Sequence, residues 1–121
     1  FYSSNQVFMK RDIKFKAYDR KAGYWLFFSL LELTNGGATN FLETLENWCE
    51  FTGLKDRKGA EIYEGDIVRQ ELRKDAQVFF RSGSFCTYID EGRWIEMSNN
   101  SLDFEVIGNI YENKLPEYLS V

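Results

Sequence analysis

Side chains able to do chemistry are few in this chain, and the missing types decide as much as those present. No histidine occurs among the 121 residues, which removes Ser-His-Asp and Cys-His catalysis and the commonest general base near neutral pH. The two cysteines, Cys49 and Cys86, stand in unrelated contexts without a Cys-x-x-Cys spacing, so zinc-site and thioredoxin-like readings fall. Both lie in strand-like runs. Buried free thiols in a reducing compartment, the cytoplasm, is the expectation, and a disulfide between neighbouring strands is the alternative. Glu61, Glu64 and Asp66 are close enough in sequence to form an acid/base pair, but that work needs environments that split the carboxyl pKa values. Solvated loop acids, or an Asx-type turn at Asp66, is the structural reading.

Asp56-Arg57-Lys58-Gly59 has the outline of a calcium loop or a phosphate-cradling turn and fails both tests. A calcium loop alternates oxygen ligands and closes on a glutamate, whereas Lys58, Ala60 and Ile62 occupy the alternate positions. A phosphate loop needs more glycine and a Lys-Ser or Lys-Thr at a helix start. A type I turn plus glycine between two strands is what this spacing predicts. The expectation is therefore a protein with no catalytic residues, no metal ligands and no cofactor, and not an enzyme.

One cluster of charge stands out. The net charge is −4, yet Met9 to Ala22 holds six basic residues against two acids, a basic strip on an acidic body. Lys14, Lys16 and Arg20, interleaved with Tyr18 and Trp25, form the candidate interaction strip. It reads first as a solvated strand face, then as a contact for an anionic partner, including the acidic face of another copy, and last as a stacking platform for single-stranded nucleic acid. The acidic balance and the lack of a second basic cluster disfavour nucleic acid.

Strands must position these groups. Aromatic residues make up 17% of the chain, and flat, stiff side chains pack well on a pleated surface. Ile13, Phe15 and Ala17 alternate with Lys14 and Lys16, the period-2 pattern of a strand with one wet face. Asp19 to Gly23 supplies turn chemistry, so a β-hairpin spans about Ile13 to Leu31. The apolar run Tyr24 to Leu31 is far shorter than a membrane helix needs and reads as core, with no membrane contact. Thr34 to Thr39 is loop, and Asn40 with Glu43 is a weak helix start. Asn47 to Phe51 is a short strand with Cys49 and Phe51 on one face. The stretch Thr52 to Val68 reads as turn, strand, turn, strand, with Gly53, Gly59 and Gly65 setting turns that present Ile62 and Val68 to the core. A three-strand meander follows from Ala76 to Met97, then a last strand from Phe104 to Tyr111, with Gly108 at a bulge or close approach. Residues 1–8 lack charge and precede a plausible initiator at Met9, so they read as an extension to a single domain over 9–121. The fold class is mainly β: a small barrel or two packed antiparallel sheets, with an SH3-like barrel core and an added N-terminal hairpin.

Three blocks in order carry a family resemblance: Ile13-Lys14-Phe15-Lys16-Ala17-Tyr18-Asp19, Thr52 to Val68, and Val106-Ile107-Gly108-Asn109-Ile110-Tyr111-Glu112-Asn113. Together they look like the YopX family, small proteins encoded by bacteriophages and prophages. The motif positions are Gly53, Asp56, Gly59, Ile62, Tyr63, Gly65, Asp66, Gly108, Asn109 and Tyr111. The resemblance implies a mostly β fold, self-association and no assigned enzymatic activity; a host or phage protein is a further expected partner. The resemblance weakens in the tail, where members run Glu-Asn-Pro-Glu-Leu and this chain has Glu112-Asn113-Lys114-Leu115-Pro116.

Overall fold

The computed structural model describes residues 12–34 and 44–112. The extension expected over residues 1–8, the helix start expected at Asn40 and the tail beyond Glu112 lie outside them. Strands dominate: β1 (Lys14–Asp19), β2 (Tyr24–Ser29), β3 (Leu45–Lys55), β4 (Glu61–Tyr63), β5 (Asp66–Arg69), β6 (Ala76–Arg81), β7 (Ser84–Asp90), β8 (Arg93–Glu96) and β9 (Glu105–Asn109), with one short helix, α1 (Leu30–Thr34). Of the two architectures that the sequence allows, the chain takes the packed sheets. One antiparallel sheet has the order β2-β1-β3-β4 and the other β8-β7-β6-β5-β9, and no pairing closes them into a barrel.

The chain crosses between the sheets at Glu64-Gly65. Glu64 N–H still donates to Glu50 O on β3 at 2.9 Å, whereas Gly65 N–H donates to Val78 O on β6 at 2.8 Å. Gly65 O in turn accepts from Ile110 N–H at 2.9 Å. One peptide therefore ends the first sheet and the next begins the second. Gly65 makes this corner with φ +90, a conformation that L side chains rarely adopt. Closure into a barrel would require the edge strands β2 and β4 to pair with β8 and β9, and among the described residues they do not.

The hairpin has the expected form. Asp19 Oδ1 accepts from Lys21 N–H at 3.0 Å and Ala22 N–H at 3.1 Å, which shapes the turn, and β1 pairs with β2 from Lys14↔Ser29 to Asp19↔Tyr24. The meander is likewise β6, β7 and β8 joined by two-residue turns. The final glycine sits at a bulge: Ile67 pairs with Gly108 but Val68 pairs with Val106, leaving Ile107 extra.

Three expectations are corrected. Gly53 does not set a turn; it lies inside the eleven-residue β3, at an irregularity where the register with β4 shifts between Phe51 and Lys55. The apolar run Tyr24 to Leu31 is core only in part: Phe28 packs with Ala17 and Leu45, Leu26 and Trp25 lie against core clusters, and Tyr24, Phe27, Leu30 and Leu31 are exposed. Its first six residues form β2, at the edge of its sheet, and among them only Phe28 is buried. The run then turns into α1, because Ser29 and Glu32 form a reciprocal cap: Ser29 N–H donates to Glu32 Oε1 at 2.8 Å, and Glu32 N–H to Ser29 Oγ at 3.2 Å. Finally, Phe80 does not join Ala76 and Val78 inside; it is exposed and stacks edge-on against Phe85 across the hairpin.

The main core is Ile62, Val68, Val78, Met97 and Phe104, with Leu54, Phe85, Ile89, Ile95 and Val106 packed around it. It draws on both sheets, and Ile62 and Val68 meet there as their spacing predicts. Ala76 to Phe79 are all buried because β6 is covered on both faces; Phe79 packs away from the main core, against Tyr88 at 5.1 Å and Trp94 at 6.3 Å. Gly65→Ala should cost about 1–2 kcal/mol through its left-handed backbone alone. A Cβ there would sit 3.5 Å from Tyr111 and 3.7 Å from Cys49, so Gly65→Val adds crowding and should cost more. Thermal or urea unfolding checks both variants, and an unchanged midpoint would contradict the corner as drawn.

Candidate functional site at the seam of the sheets

The motif residues converge where the two sheets meet. Asp56, 2% exposed, ends β3 and holds three backbone donors. Its Oδ1 accepts from Lys58 N–H at 2.8 Å and Ala60 N–H at 2.9 Å, and its Oδ2 accepts from Val106 N–H on β9 at 2.8 Å. The first two close the turn around Gly59, and the third ties that turn to the other sheet. Arg57 and Lys58 add ion pairs to Glu105 at 3.0 and 2.9 Å. Burial works to raise the Asp56 carboxyl, but the three N–H donors and the Lys58 charge override it and hold its pKa below the usual value. The motif that fails as a calcium or phosphate loop is thus a carboxylate clamp on backbone.

Asp66 and Lys16 form the second link. The sequence reading puts Asp66 in a solvated loop or an Asx-type turn, and Lys16 on the wet face of β1. Both are buried instead, at 2% and 9% exposure, because β1 lies where the second sheet begins. Lys16 Nζ donates to Asp66 Oδ1 at 3.0 Å, and Tyr63 N–H donates to Asp66 Oδ2 at 2.8 Å. The ammonium also lies 4.9 Å from the ring centres of Trp25 and Tyr63. Burial raises the Asp66 pKa, opposed by the charge of Lys16 and the Tyr63 N–H.

Lys14 makes a parallel contact one turn of the pleat away. Its ammonium bonds Glu61 Oε2 and lies 4.8 Å from the centre of the Phe51 ring, while Tyr63 OH donates to Glu61 Oε1 at 3.0 Å. Burial pushes Glu61 up, but Lys14 and Tyr63 outweigh it and lower the pKa; burial and Glu61 together raise the Tyr63 hydroxyl. Glu64 goes the other way, raised by burial and by Glu50. The three carboxylates therefore do have separated environments. Even so, the oxygens of Glu61 and Asp66 are engaged by structural donors. A cleft of about 370 Å³ opens beside them, lined by Lys16, Phe27, Glu61, Tyr63, Asp66 and Gly108.

Behind the corner, Cys49 Sγ and Tyr111 both pack against the face of Gly65 where a Cβ would stand. Burial pushes the Cys49 thiol up to about 11, so it is protonated at neutral pH, and burial also raises Cys86. Both cysteines are free, one in each sheet. Asn109 pairs with Asp66 across β9 and β5 and uses its Oδ1 to accept from Tyr111 N–H at 3.0 Å and Glu112 N–H at 3.1 Å. Among the described residues, no group of three or more Cys, Asp or Glu is placed to hold a metal ion, and no helix is long and apolar enough to cross a membrane.

The candidate interaction strip is divided among these pairs. Lys14 and Lys16 are engaged as above, Arg20 Nη1 bonds Glu46 Oε2 at 3.0 Å, and Trp25 Nε1–H donates to Glu112 Oε1 at 3.2 Å. Glu46 and Glu112 escape a sequence reading because they lie far from the strip along the chain. The one sequence signal toward them is that the acidic remainder must face this basic hairpin somewhere.

Two substitutions test these links. Lys16→Met strands a buried carboxylate and should cost about 3–5 kcal/mol at neutral pH. Since burial then dominates Asp66 and favours its protonated form, the deficit relative to the parent should shrink as pH falls. Asp56→Ala should also lose its deficit as pH falls, but because the parent weakens rather than because the variant recovers. A depressed folded pKa gives stability that is full above the unfolded value of about 3.8–3.9 and is lost as pH falls through the folded pKa. The gap between parent and Asp56→Ala should therefore be widest near neutrality and narrow below about pH 4. Urea unfolding across pH checks both signs.

Comparisons with known proteins place the chain in a family. A crystal structure of protein EF1440 from Enterococcus faecalis aligns with 91% of this chain and 99% of its own, at 20% identity and a TM-score of 0.43. A search of curated proteins returns no match. The model of the YopX protein family matches residues 3–119, nearly the whole chain, and with the Asp56 clamp, the Gly65 corner and the Asn109 turn all inside that span, this protein belongs to the YopX family.

Proposed function

We propose that this YopX-family chain is a small interaction or scaffold protein that binds copies of itself and does not turn over a substrate, encoded by a phage or prophage and acting in the cytoplasm of a bacterial host. The observation that carries the reading is the open edge of the first sheet. Among the described residues β2 has no partner on its outer side, and along it and α1 Tyr24, Phe27, Leu30 and Leu31 are 57%, 59%, 44% and 68% exposed. An apolar edge strand with unpaired backbone groups is a template for another strand, and a two-fold axis would use each contact twice. The engaged carboxylates and the protonated Cys49 thiol at the seam fit a binding role better than a catalytic one.

This edge also changes the expected character of the assembly. A basic strip meeting an acidic face would dissociate in salt, but Lys14, Lys16 and Arg20 are neutralised within the chain. The same pairing counts against the alternative of a nucleic-acid binder, which needs those cations for phosphate. Self-association through β2 should persist, or strengthen, as salt rises. Light scattering on the parent should give a multiple of the chain mass at low and high salt, and Phe27→Glu with Leu31→Glu should give the monomer. An unchanged mass in the double variant, or a monomeric parent, would sink the reading.

A further inference from the structure

A second surface, at the tip of the β1–β2 hairpin, has a different chemistry. Tyr18, Tyr24 and Trp25 of the hairpin, Glu46 of β3, and Tyr111 and Glu112 beyond β9 surround a groove of about 500 Å³. Trp25 is its centre. Tyr18 meets that indole edge-on at 5.5 Å and 68°, and Tyr111 meets it tilted at 6.1 Å and 51°. The groove thus combines aromatic walls at several angles with two carboxylates, and among the described residues lining it none is cationic. We propose that it is a receptor for a guanidinium group, an exposed arginine side chain of a partner protein.

Three observations support that occupant. Ring faces carry negative electrostatic potential, and this indole already attracts one cation, Lys16 at 4.9 Å. The carboxylates are positioned by the fold. Glu112 Oε1 takes the Trp25 Nε1–H at 3.2 Å and also the Asn109 amide. Glu46 sits at a bulge where β3 gains a residue against β1, between the pairs Lys16↔Cys49 and Tyr18↔Glu46; Asn47 adopts φ +56 there. Bulges of this kind re-aim side chains at sites. Lastly, the rim already holds the proposed chemistry in miniature: Arg20, 64% exposed in its side chain, bonds Glu46 at 3.0 Å. So exposed a pair contributes little, and an incoming guanidinium can replace it.

Guanidinium is favoured over ammonium because it is planar and weakly hydrated. It can lie on a ring while its edge donates to a carboxylate, whereas an ammonium keeps its water. A protein is the source favoured here because the groove is open, with Tyr24 and Tyr111 largely exposed, and because the chain's net charge of −4 attracts a basic partner. The site shares Tyr24 with the β2 edge, but neither Phe27 nor Leu31 lines it, so substitutions at those two positions leave the groove lining intact.

The test titrates a short blocked peptide with one arginine into the full chain, and compares it with the same peptide carrying lysine or the neutral isostere citrulline. The indole N–H resonance of Trp25, assigned by its loss in Trp25→Phe, is the reporter. Saturable movement of that resonance is expected with the arginine peptide, weaker movement with lysine, and none with citrulline. Glu112→Gln keeps an acceptor for the indole and should weaken arginine binding about tenfold without altering the fold. The Phe27→Glu, Leu31→Glu variant should bind as the parent does, so loss of self-association and loss of this site are read separately. Equal binding of arginine and citrulline, equal binding of arginine and lysine, an unchanged affinity in Glu112→Gln, or no saturable movement would each overturn the proposal.

Discussion

The buried pair between Lys16 and Asp66 is the constraint on which the two-sheet arrangement depends. It connects β1 to β5 across the seam, at a sequence separation of 50 residues, with both partners almost fully shielded. Moving two charges out of water is costly, and their attraction offsets that cost only when the remaining hydrogen bonds are satisfied. Here the second carboxylate oxygen receives the Tyr63 amide, and the ammonium is enclosed by two aromatic rings. A pair of this kind adds modest net stability but punishes any arrangement that separates its members. It therefore fixes how the hairpin sheet sits on the meander sheet, which apolar contacts alone would leave less defined.

Around that pair the fold uses carboxylates as structural fasteners. Asp56 gathers three amides from two distant segments, Glu61 takes a lysine and a phenol, and Asp19 shapes the hairpin turn. Two of the three acids that resemble catalytic candidates in the sequence, Glu61 and Asp66, are engaged by this work. Outside the seam, aromatic side chains remain exposed on the open strand edge and at the hairpin tip, the two surfaces on which the proposals rest.

Much of this was legible in the residues, and the exceptions have physical causes. Turns were readable wherever one residue determines them, as at Asp19, Asp56 and Gly59, and alternation found the β6 to β8 meander. Gly53 misleads because a glycine permits a bulge inside a long strand as readily as a turn between short ones, and only the β4 partner decides which. Lys16 misleads because period-2 alternation says which side chains share a face but not whether a second sheet covers it. The run Tyr24 to Leu31 misleads in the reverse sense, since hydrophobicity marks a surface that is buried against something, and among the described residues nothing covers the outer side of β2. The Ser29 and Glu32 cap was present in the sequence as Ser-x-x-Glu and was masked by the strength of the apolar pattern around it.

The two cysteines sit one in each sheet, Cys49 on β3 and Cys86 on β7, both shielded from solvent. Thiol reagents attack the thiolate, and shielding here suppresses both access and ionisation. Each sulfur consequently becomes reactive when its own sheet opens, and labelling rates at the two positions form a pair of clocks. If the seam holds the sheets as one cooperative body, the clocks run together; if it yields first, they separate.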